Sequence, residues 1–336
     1  MRKPLARRAA TVRDIRGLRP LEPPGHALVR FGRREQMPQL SIVTPSLNQG
    51  HFIERTIRSV LDQADEIDFE YLVVDGGSQD GTLAILRCYE QRLRWISEPD
   101  RGQANAVNKG LQLTTGEIIG WLNSDDIYYP RVLATVQHLF AANPDVDVVY
   151  GDADHIDERD ACIEPYPTQG WDFERLKDVC YLCQPAVFFR RRVVDTAGGL
   201  DERLHYCMDY EYWLRLAQRG STFLYVPLRL AGSRLYPATK TLSQRVRVHA
   251  EMNDMLRRRL GRVPDRWLFN YAHAVLQAGP IRIPPEPALR FALAVSALSI
   301  YASLRWNHDL SPGVRETTSR WIAGNLRSTL RGAMAR

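Results

Sequence analysis

The 336-residue chain has five cysteines, Cys88, Cys162, Cys180, Cys183 and Cys207, an odd and scattered set. That excludes the dense disulfide framework of a small secreted domain and favours a reducing compartment. No apolar run is long enough to cross a bilayer: the longest, Phe291 to Leu304, spans about 14 residues where about 20 are needed. Residues 1–30 lack the continuous apolar stretch of a secretory signal, and their arginines come without the serine of an organellar transit peptide. Residues 76–81 contain neither Gly-x-Gly-x-x-Gly nor a Gly-Lys-Ser/Thr run, which disfavours dinucleotide oxidoreductases and P-loop enzymes. No Gly-x-Ser-x-Gly elbow and no internal repeat is visible.

What is present is globular: 44% hydrophobic and 25% charged residues, enough chain for one large domain or two ordinary ones. The net charge of +6 is uneven. Residues 1–40 carry 10 Lys/Arg against 3 Asp/Glu, residues 41–244 carry 20 against 30, and residues 245–336 carry 15 against 6, all 15 being arginine. An acidic middle between basic ends does not fit a nucleic-acid binder with one basic face. The basic flanks suit an anionic membrane surface or a polyanionic partner; solvated helix faces and a disordered leader suit them equally.

Residues 1–38 hold five prolines and no periodicity, and read as a basic, partly extended arm. From 39 to 240 short β-rich runs alternate with helical spacing, which predicts βαβ units and a mostly parallel sheet flanked by helices, an α/β fold. Strands are expected at 40–44, 69–74, 93–96, 117–122, 146–150, 185–190 and 222–226. Helices are expected at about 82–91, 103–113 and 209–219, with another opening at Pro130. Residues 241–336 read as a helical basic C-terminal region, broken at Pro264, Gly279-Pro280 and Pro284-Pro285.

In an open parallel sheet ligands bind beyond the carboxyl ends of the strands. Four of those ends are polar: Thr44-Pro45-Ser46-Leu47-Asn48, Asp75, Glu98-Pro99-Asp100-Arg101-Gly102-Gln103, and Asn123-Ser124-Asp125-Asp126. Adjacent carboxylates repel unless a cation joins them, so Asp125-Asp126 suits Mg2+ or Mn2+ with substrate phosphates; alternatively one caps the next helix and the other is solvated. Asp75 can accept from a nucleobase or serve the turn at Gly76-Gly77. Arg101 and Lys109 can neutralise phosphate or form surface ion pairs. Cys180 and Cys183, with His205 and Cys207 nearby, lack a second zinc pair at structural spacing and read as buried thiols. Trp171, His205, Tyr206 and Trp213 are candidate sugar-stacking residues or core.

Together the segments SIVTPSLNQGHFIERTIRSVLDQ (41–63), EYLVVDGGSQDGT (70–82), WISEPDRGQANAVNKGLQLTTGEIIGWLNSDD (95–126) and GGLDERLHYCMDYEYWLRLA (198–217) resemble the family-2 glycosyltransferases of GT-A fold, in particular their bacterial surface-polysaccharide branch. The resemblance covers about 40–235. It implies that Thr44, Pro45, Ser46 and Asn48 line the nucleotide pocket and that Asp75 contacts the base. With Arg101, Gln103 and Lys109, Asn123 and Asp125 would face the donor, and Asp126 the metal. Asn123 stands where many members have an acid. Met208-Asp209-Tyr210-Glu211 matches the family's catalytic element, with Met in place of the first acid and Asp209 as the base, which the helix dipole would hold ionised. The Gln-x-x-Arg-Trp motif of processive members is absent. The implied activity is inverting, metal-dependent transfer from a nucleotide-diphosphate sugar, UDP favoured, to a glycan or lipid-linked acceptor, in the cytoplasm or on the inner membrane face. The rival expectation is a degenerate, non-catalytic binding or assembly subunit.

Overall fold

The computed structural model describes residues 39–278, 283–284 and 288–334. The basic arm expected over 1–38 and the break expected at Gly279-Pro280 lie outside the described residues.

Strand β1 (Leu40–Ser46) is buried along its whole length. A strand covered on both faces is apolar in a run instead of alternating, which is why Leu40 to Val43 reads as it does. Helix α1 (Ile53–Leu61) buries Ile53, Thr56, Ile57, Val60 and Leu61, one face of a helical repeat. The rhythm continues through β2 (Phe69–Asp75), α2 (Thr82–Cys88), β3 (Arg94–Ser97), α3 (Gln103–Leu113) and β4 (Ile118–Trp121). These four strands lie in the order β3-β2-β1-β4, all parallel.

The chain then adds β5 (Ile127–Tyr128), α4 (Val132–Ala142), β6 (Val148–Ile156), β7 (Cys162–Pro165), α5 (Phe173–Asp178), β8 (Val187–Arg190), α6 (Arg191–Ala197), α7 (Met208–Gln218) and β9 (Phe223–Arg234). Past β4 the sheet is mixed: β8 runs antiparallel between β4 and β6, β9 is parallel to β6, and β5 and β7 close antiparallel on β9 and β6. Side chains alternate between two cores. Ile118 faces Ile42, Ile57 and Phe140, while its neighbours Ile119 and Trp121 face Val107 and Trp213.

Several local expectations need correction: the strand expected at 146–150 runs on to Ile156 as β6, and the helix expected to about 91 ends at Cys88. The helix expected from Pro130 begins at Val132, after Arg131 in a left-handed conformation with φ 66°. Pairing of β5 and a bond from the Tyr129 N–H to the Leu230 carbonyl keep the chain extended up to the proline. The strand expected from Pro185 starts at Val187, because Gln184–Ala186 form a 3-10 turn and proline has no N–H for the ladder. The strand expected to end at Val226 continues as β9 to Arg234, with its register against β6 shifting beside Pro227.

The C-terminal helices are α8 (Lys240–Ser243), α9 (Arg245–Leu260), α10 (Asp265–Ala278), α11 (Ala288–Asn307) and α12 (Pro312–Met334). Gly261, at φ 74°, ends α9 in the left-handed conformation glycine favours. Met255 and Leu256 of α9, Leu268 of α10 and Trp306 of α11 share one core with Trp213 of α7. The apolar run Phe291–Leu304 is therefore part of a longer element than its own length suggested. Helix α11 has 20 residues and is long and apolar enough to cross a membrane by length and composition. Its inner face, with Val295, Ser299, Ala302 and Trp306, is nevertheless buried against neighbouring helices, while Leu293, Tyr301 and Leu304 are about half exposed.

Candidate functional site

The expected gathering of strand ends is present in the register. Ser46 pairs with Asp75, and Asp75 with Ser97, so β1, β2 and β3 end in one row. The Leu122 N–H donates to the Val43 carbonyl and carries β4 out beside them. Thr44 and Pro45 are buried beneath this edge, Thr44 Oγ1 lying 3.3 Å from Tyr71 Oη. Ser46 Oγ is buried without a hydrogen-bond partner among the described residues. Asn48 takes a left-handed φ of 52°, its N–H donating to Ser78 Oγ (2.7 Å) and its Oδ1 accepting from the Gln79 N–H (2.8 Å). The first loop is thereby tied to the loop after β2. Asp75 accepts from the Gly77 and Ser78 N–H groups (3.0 and 2.8 Å) and from the Ser78 and Ser97 hydroxyls (2.5 and 2.7 Å). It builds the turn, as one of its two expected readings required.

Arg101 pairs with Glu202 (2.6 Å) and Lys109 with Glu98 (2.7 Å), so both expected phosphate cations are in ion pairs at the rim. Gln103 points inward, its Nε2 donating to Asn123 Oδ1 (2.7 Å). Asn123 Nδ2 in turn donates to Gln184 Oε1 (2.8 Å) and Asp126 Oδ2 (3.3 Å). An aspartate at 123 could not donate either bond and would add a third carboxylate, which is the local reason for an amide here.

The two adjacent carboxylates differ. Asp126 is buried, with Oδ1 accepting from the Arg234 N–H (2.8 Å) and Oδ2 from Asn123. Neither carboxylate caps α4. Asp125 is half-buried and accepts from Tyr236 Oη (3.0 Å). Burial, then the charge of Asp125, pushes the Asp126 carboxyl well above its ordinary range, and burial raises Asp125 too. Arg234, buried over the Phe52 ring, holds this loop through Nε to the Asp125 carbonyl (2.7 Å), and its guanidinium pairs with Asp160. Among the described residues no cationic side chain comes within ion-pair distance of Asp125 or Asp126. A buried and a half-buried carboxylate that disfavour each other's charge are a donor set that one divalent cation would relieve, and Asp125 is the more accessible of the two.

On the other side of the site, Asp209 is the second residue of α7. The cap position is Cys207, which makes no side-chain cap bond, and Asp209 Oδ1 accepts from the Tyr210 N–H (2.8 Å). Burial works against the expected help of the helix dipole and pushes the Asp209 carboxyl up to about 6. The buried Cys183 thiol feels the charge of both Asp126 and Asp209, which puts the two acidic centres within electrostatic reach of one side chain. Burial raises the Cys180 and Cys207 thiols as well.

Four residues of this site carried no sequence signal. Tyr236 and Arg234 hold the Asp125-Asp126 loop. Lys240 donates to Gln103 Oε1 (3.3 Å); burial lowers its ammonium while Asp125, Glu251 and Asp100 act in the opposite direction. Glu251 of α9 accepts from the backbone N–H groups of His205 (2.9 Å), Tyr206 (2.7 Å) and Cys207 (3.1 Å). No local motif marks them, because they arrive from β9 and the C-terminal helices. Of the aromatic candidates, Trp213 is fully buried core and Trp171 stacks on Phe223 at 3.7 Å, whereas His205 is exposed and Tyr206 half-buried before α7.

Residues 41–198 match the family model described as Glycosyl transferase family 2. The chain is 30% identical over 187 residues to a PGL/p-HBAD biosynthesis glycosyltransferase of Mycobacterium bovis, covering 53% of this chain and 69% of that protein. It is 31% identical over 202 residues to the O-antigen biosynthesis protein RfbC of Myxococcus xanthus, which is 58% of this chain but 16% of that longer protein. Among solved structures, S. aureus TarS 1-349 in complex with UDP-GlcNAc superposes with a TM-score of 0.57 at 15% identity, over 88% of this chain and 92% of that one. The mannosyltransferase PcManGT from Pyrobaculum calidifontis, in complex with GDP-Man and Mn2+, gives 0.54 at 20% identity, over 88% of each chain. At these identities the structural likeness is one of fold.

Proposed function

Because the chain belongs to glycosyl transferase family 2 and folds in the GT-A manner, we propose that it moves a sugar, with inversion, from a nucleotide-diphosphate sugar to a hydroxyl of a glycan or lipid-linked acceptor. The observation that carries this reading is the pair of half-accessible carboxylates, Asp125 at the strand edge and Asp209 at the start of α7, on one polar rim. That rim runs from Asn123 through Gln103 to Lys240, and from Glu251 to the loop before Asp209.

Asp209 is the base. An acceptor hydroxyl gives its proton to the Asp209 carboxylate as its oxygen attacks the anomeric carbon from the face opposite the leaving diphosphate. A carboxyl held near 6 remains mostly ionised at neutral pH and is a stronger base than an ordinary aspartate. A single displacement with a single base inverts configuration. Ser46 and Asn48 line the nucleoside side of the site, and the buried Asp75 holds the turn beside them. Gln103 and Asn123 orient the donor, and Lys240 and Arg101 supply positive charge beside its phosphates, with Lys109 behind them.

The sequence pointed to Asp126 as the metal ligand. We assign that contact to Asp125, since both oxygens of Asp126 already accept protein bonds and Asp126 shapes the loop. Mg2+ or Mn2+ held at Asp125 would offset the charge of the departing diphosphate; the Mn2+ in the PcManGT complex supports divalent metal use. UDP is the favoured nucleotide, supported by the UDP-GlcNAc complex of TarS. The relatives' names support a place in surface polysaccharide or glycolipid synthesis. The same acceptor chemistry suits a site in the cytoplasm, on the inner face of the membrane.

Turnover tests the reading. The purified protein is incubated with UDP-, GDP- and dTDP-sugars, Mn2+ and candidate acceptors, and nucleoside diphosphate release is followed. Release from one donor class is expected, lost in Asp125→Ala and in Asp209→Asn, with an inverted anomeric product. Asp209→Asn should still bind nucleotide. A retained anomeric configuration, or wild-type transfer by Asp209→Asn, overturns the assigned base. Tight donor binding with no transfer to any acceptor favours the non-catalytic subunit.

A further inference from the structure

We infer that Glu251, far from Asp209 in sequence and on a different element, is the positioning residue that sets the catalytic turn, an inference that rests on Asp209 being the base. Helix α7 has no capping side chain of its own. The three residues before it, His205, Tyr206 and Cys207, point their N–H groups at one carboxylate, with Oε2 taking the first and Oε1 the other two. Glu251 also accepts from the Cys207 thiol (3.4 Å), and Tyr206 Oη donates to Gln244 Oε1 (2.6 Å) just ahead of α9. The end of the loop that delivers Asp209 is therefore fastened to the C-terminal helices.

Chemistry and charge both suit the arrangement. A carboxylate at a helix start satisfies N–H groups that would otherwise lack partners and is favoured by the helix dipole. Three charge-assisted bonds to successive backbone groups restrict the φ/ψ angles that aim the next two side chains, Met208 and Asp209. Met208 is buried, so it anchors the turn on the core side while Glu251 anchors it on the outside. Glu251 also lies within electrostatic reach of Lys240, which donates to Gln103.

The test compares Glu251→Ala and Glu251→Gln in the full chain, reading kcat, donor KM, nucleotide affinity by calorimetry, and thermal unfolding. Glutamine keeps one oxygen able to accept from the Tyr206 and Cys207 N–H groups; alanine keeps none. Glu251→Ala should lose on the order of 100-fold in kcat, the scale of a misplacement of about 1 Å, with donor KM and nucleotide affinity within about threefold of wild type. Glu251→Gln should recover most of that loss, to within about tenfold of wild type. Wild-type kcat in Glu251→Ala overturns the inference. So does a loss of kcat matched by an equal loss of nucleotide affinity in both variants, because that pattern marks a merely structural role. The control is Asp209→Asn. If it transfers normally the base reading has failed, whatever Glu251 does; if it is inactive while Glu251→Ala is fully active, only the positioning role has failed.

Discussion

Asp209 serves opposing demands. Burial raises its carboxyl to about 6, which makes it a usable base and also makes its charged form costly to keep in the fold. As the proposed base it must be deprotonated, so the transfer rate should rise with pH and level off above about 6; a kcat profile between pH 5 and 8 checks this, and a flat profile would remove Asp209 from the proton path. Stability runs the other way. The folded-state value lies above that of the unfolded chain, so the charge costs nothing at pH below the ordinary aspartate range. The cost grows as pH rises and is complete above about 6. Asp209→Asn should therefore stabilise the fold at pH 7 by up to about 3 kcal/mol, with no gain at pH 3.5. Urea unfolding at both pH values measures it. Much of the site is legible at this scale: Asp75, Asp125, Asp126 and Asp209 all stand out in the sequence as acids after a strand or at a helix start. Their division of labour is not legible. Asp125 and Asp126 are chemically identical neighbours, and only the bonds from Arg234 and Asn123 make one structural and leave the other accessible.

At the scale of elements, α3 brings Gln103 to the site by lying close on β1. A Cβ on Gly110 would collide with Val43 Cγ1, closer than real side chains tolerate. Val43 is β-branched and fully buried, so it cannot swing away. Gly110→Ala should cost about 1–3 kcal/mol of stability despite alanine's better helix propensity, and should weaken nucleotide binding by shifting the start of α3. An unchanged urea midpoint would show that the helix can ride outward freely. The parallel half of the sheet was readable because each βαβ unit buries a run and then a helical face, two local patterns. The short β5 and β7 were not, since two to four residues carry no period and form only where a partner strand is already in place.

Across the whole molecule, the basic C-terminal region has an unusual distribution. Helix α11 turns Ser296, Ser299 and Ser303 inward and Leu293, Tyr301 and Leu304 outward, with exposed Arg290 and Arg305 beside that stripe and Arg315, Arg320 and Arg327 on α12. An apolar stripe edged by arginine matches an anionic membrane surface, where each basic residue adds about 1 kcal/mol. The protein should float with vesicles of phosphatidylglycerol and phosphatidylcholine, release at high salt, and bind less when Leu293 and Leu304 are replaced by Gln. Full recovery in the soluble fraction with anionic vesicles would sink the membrane reading; self-association that Leu293→Gln abolishes would give the stripe to a second copy of the chain.

The sequence by itself determined the family, the parallel strand order's raw material, the polar strand ends and the acid at the start of α7, because each depends on residues within one or two turns or strands of one another. Only the tertiary structure decided which of the two adjacent carboxylates stays accessible, how far burial lifts Asp209, and that Tyr236, Lys240 and Glu251 belong to the site. Those outcomes depend on desolvation and on hydrogen bonds between residues far apart in the chain, 111 positions from Tyr236 to Asp125 and 137 from Lys240 to Gln103. A pattern read along the chain has no access to distances across it.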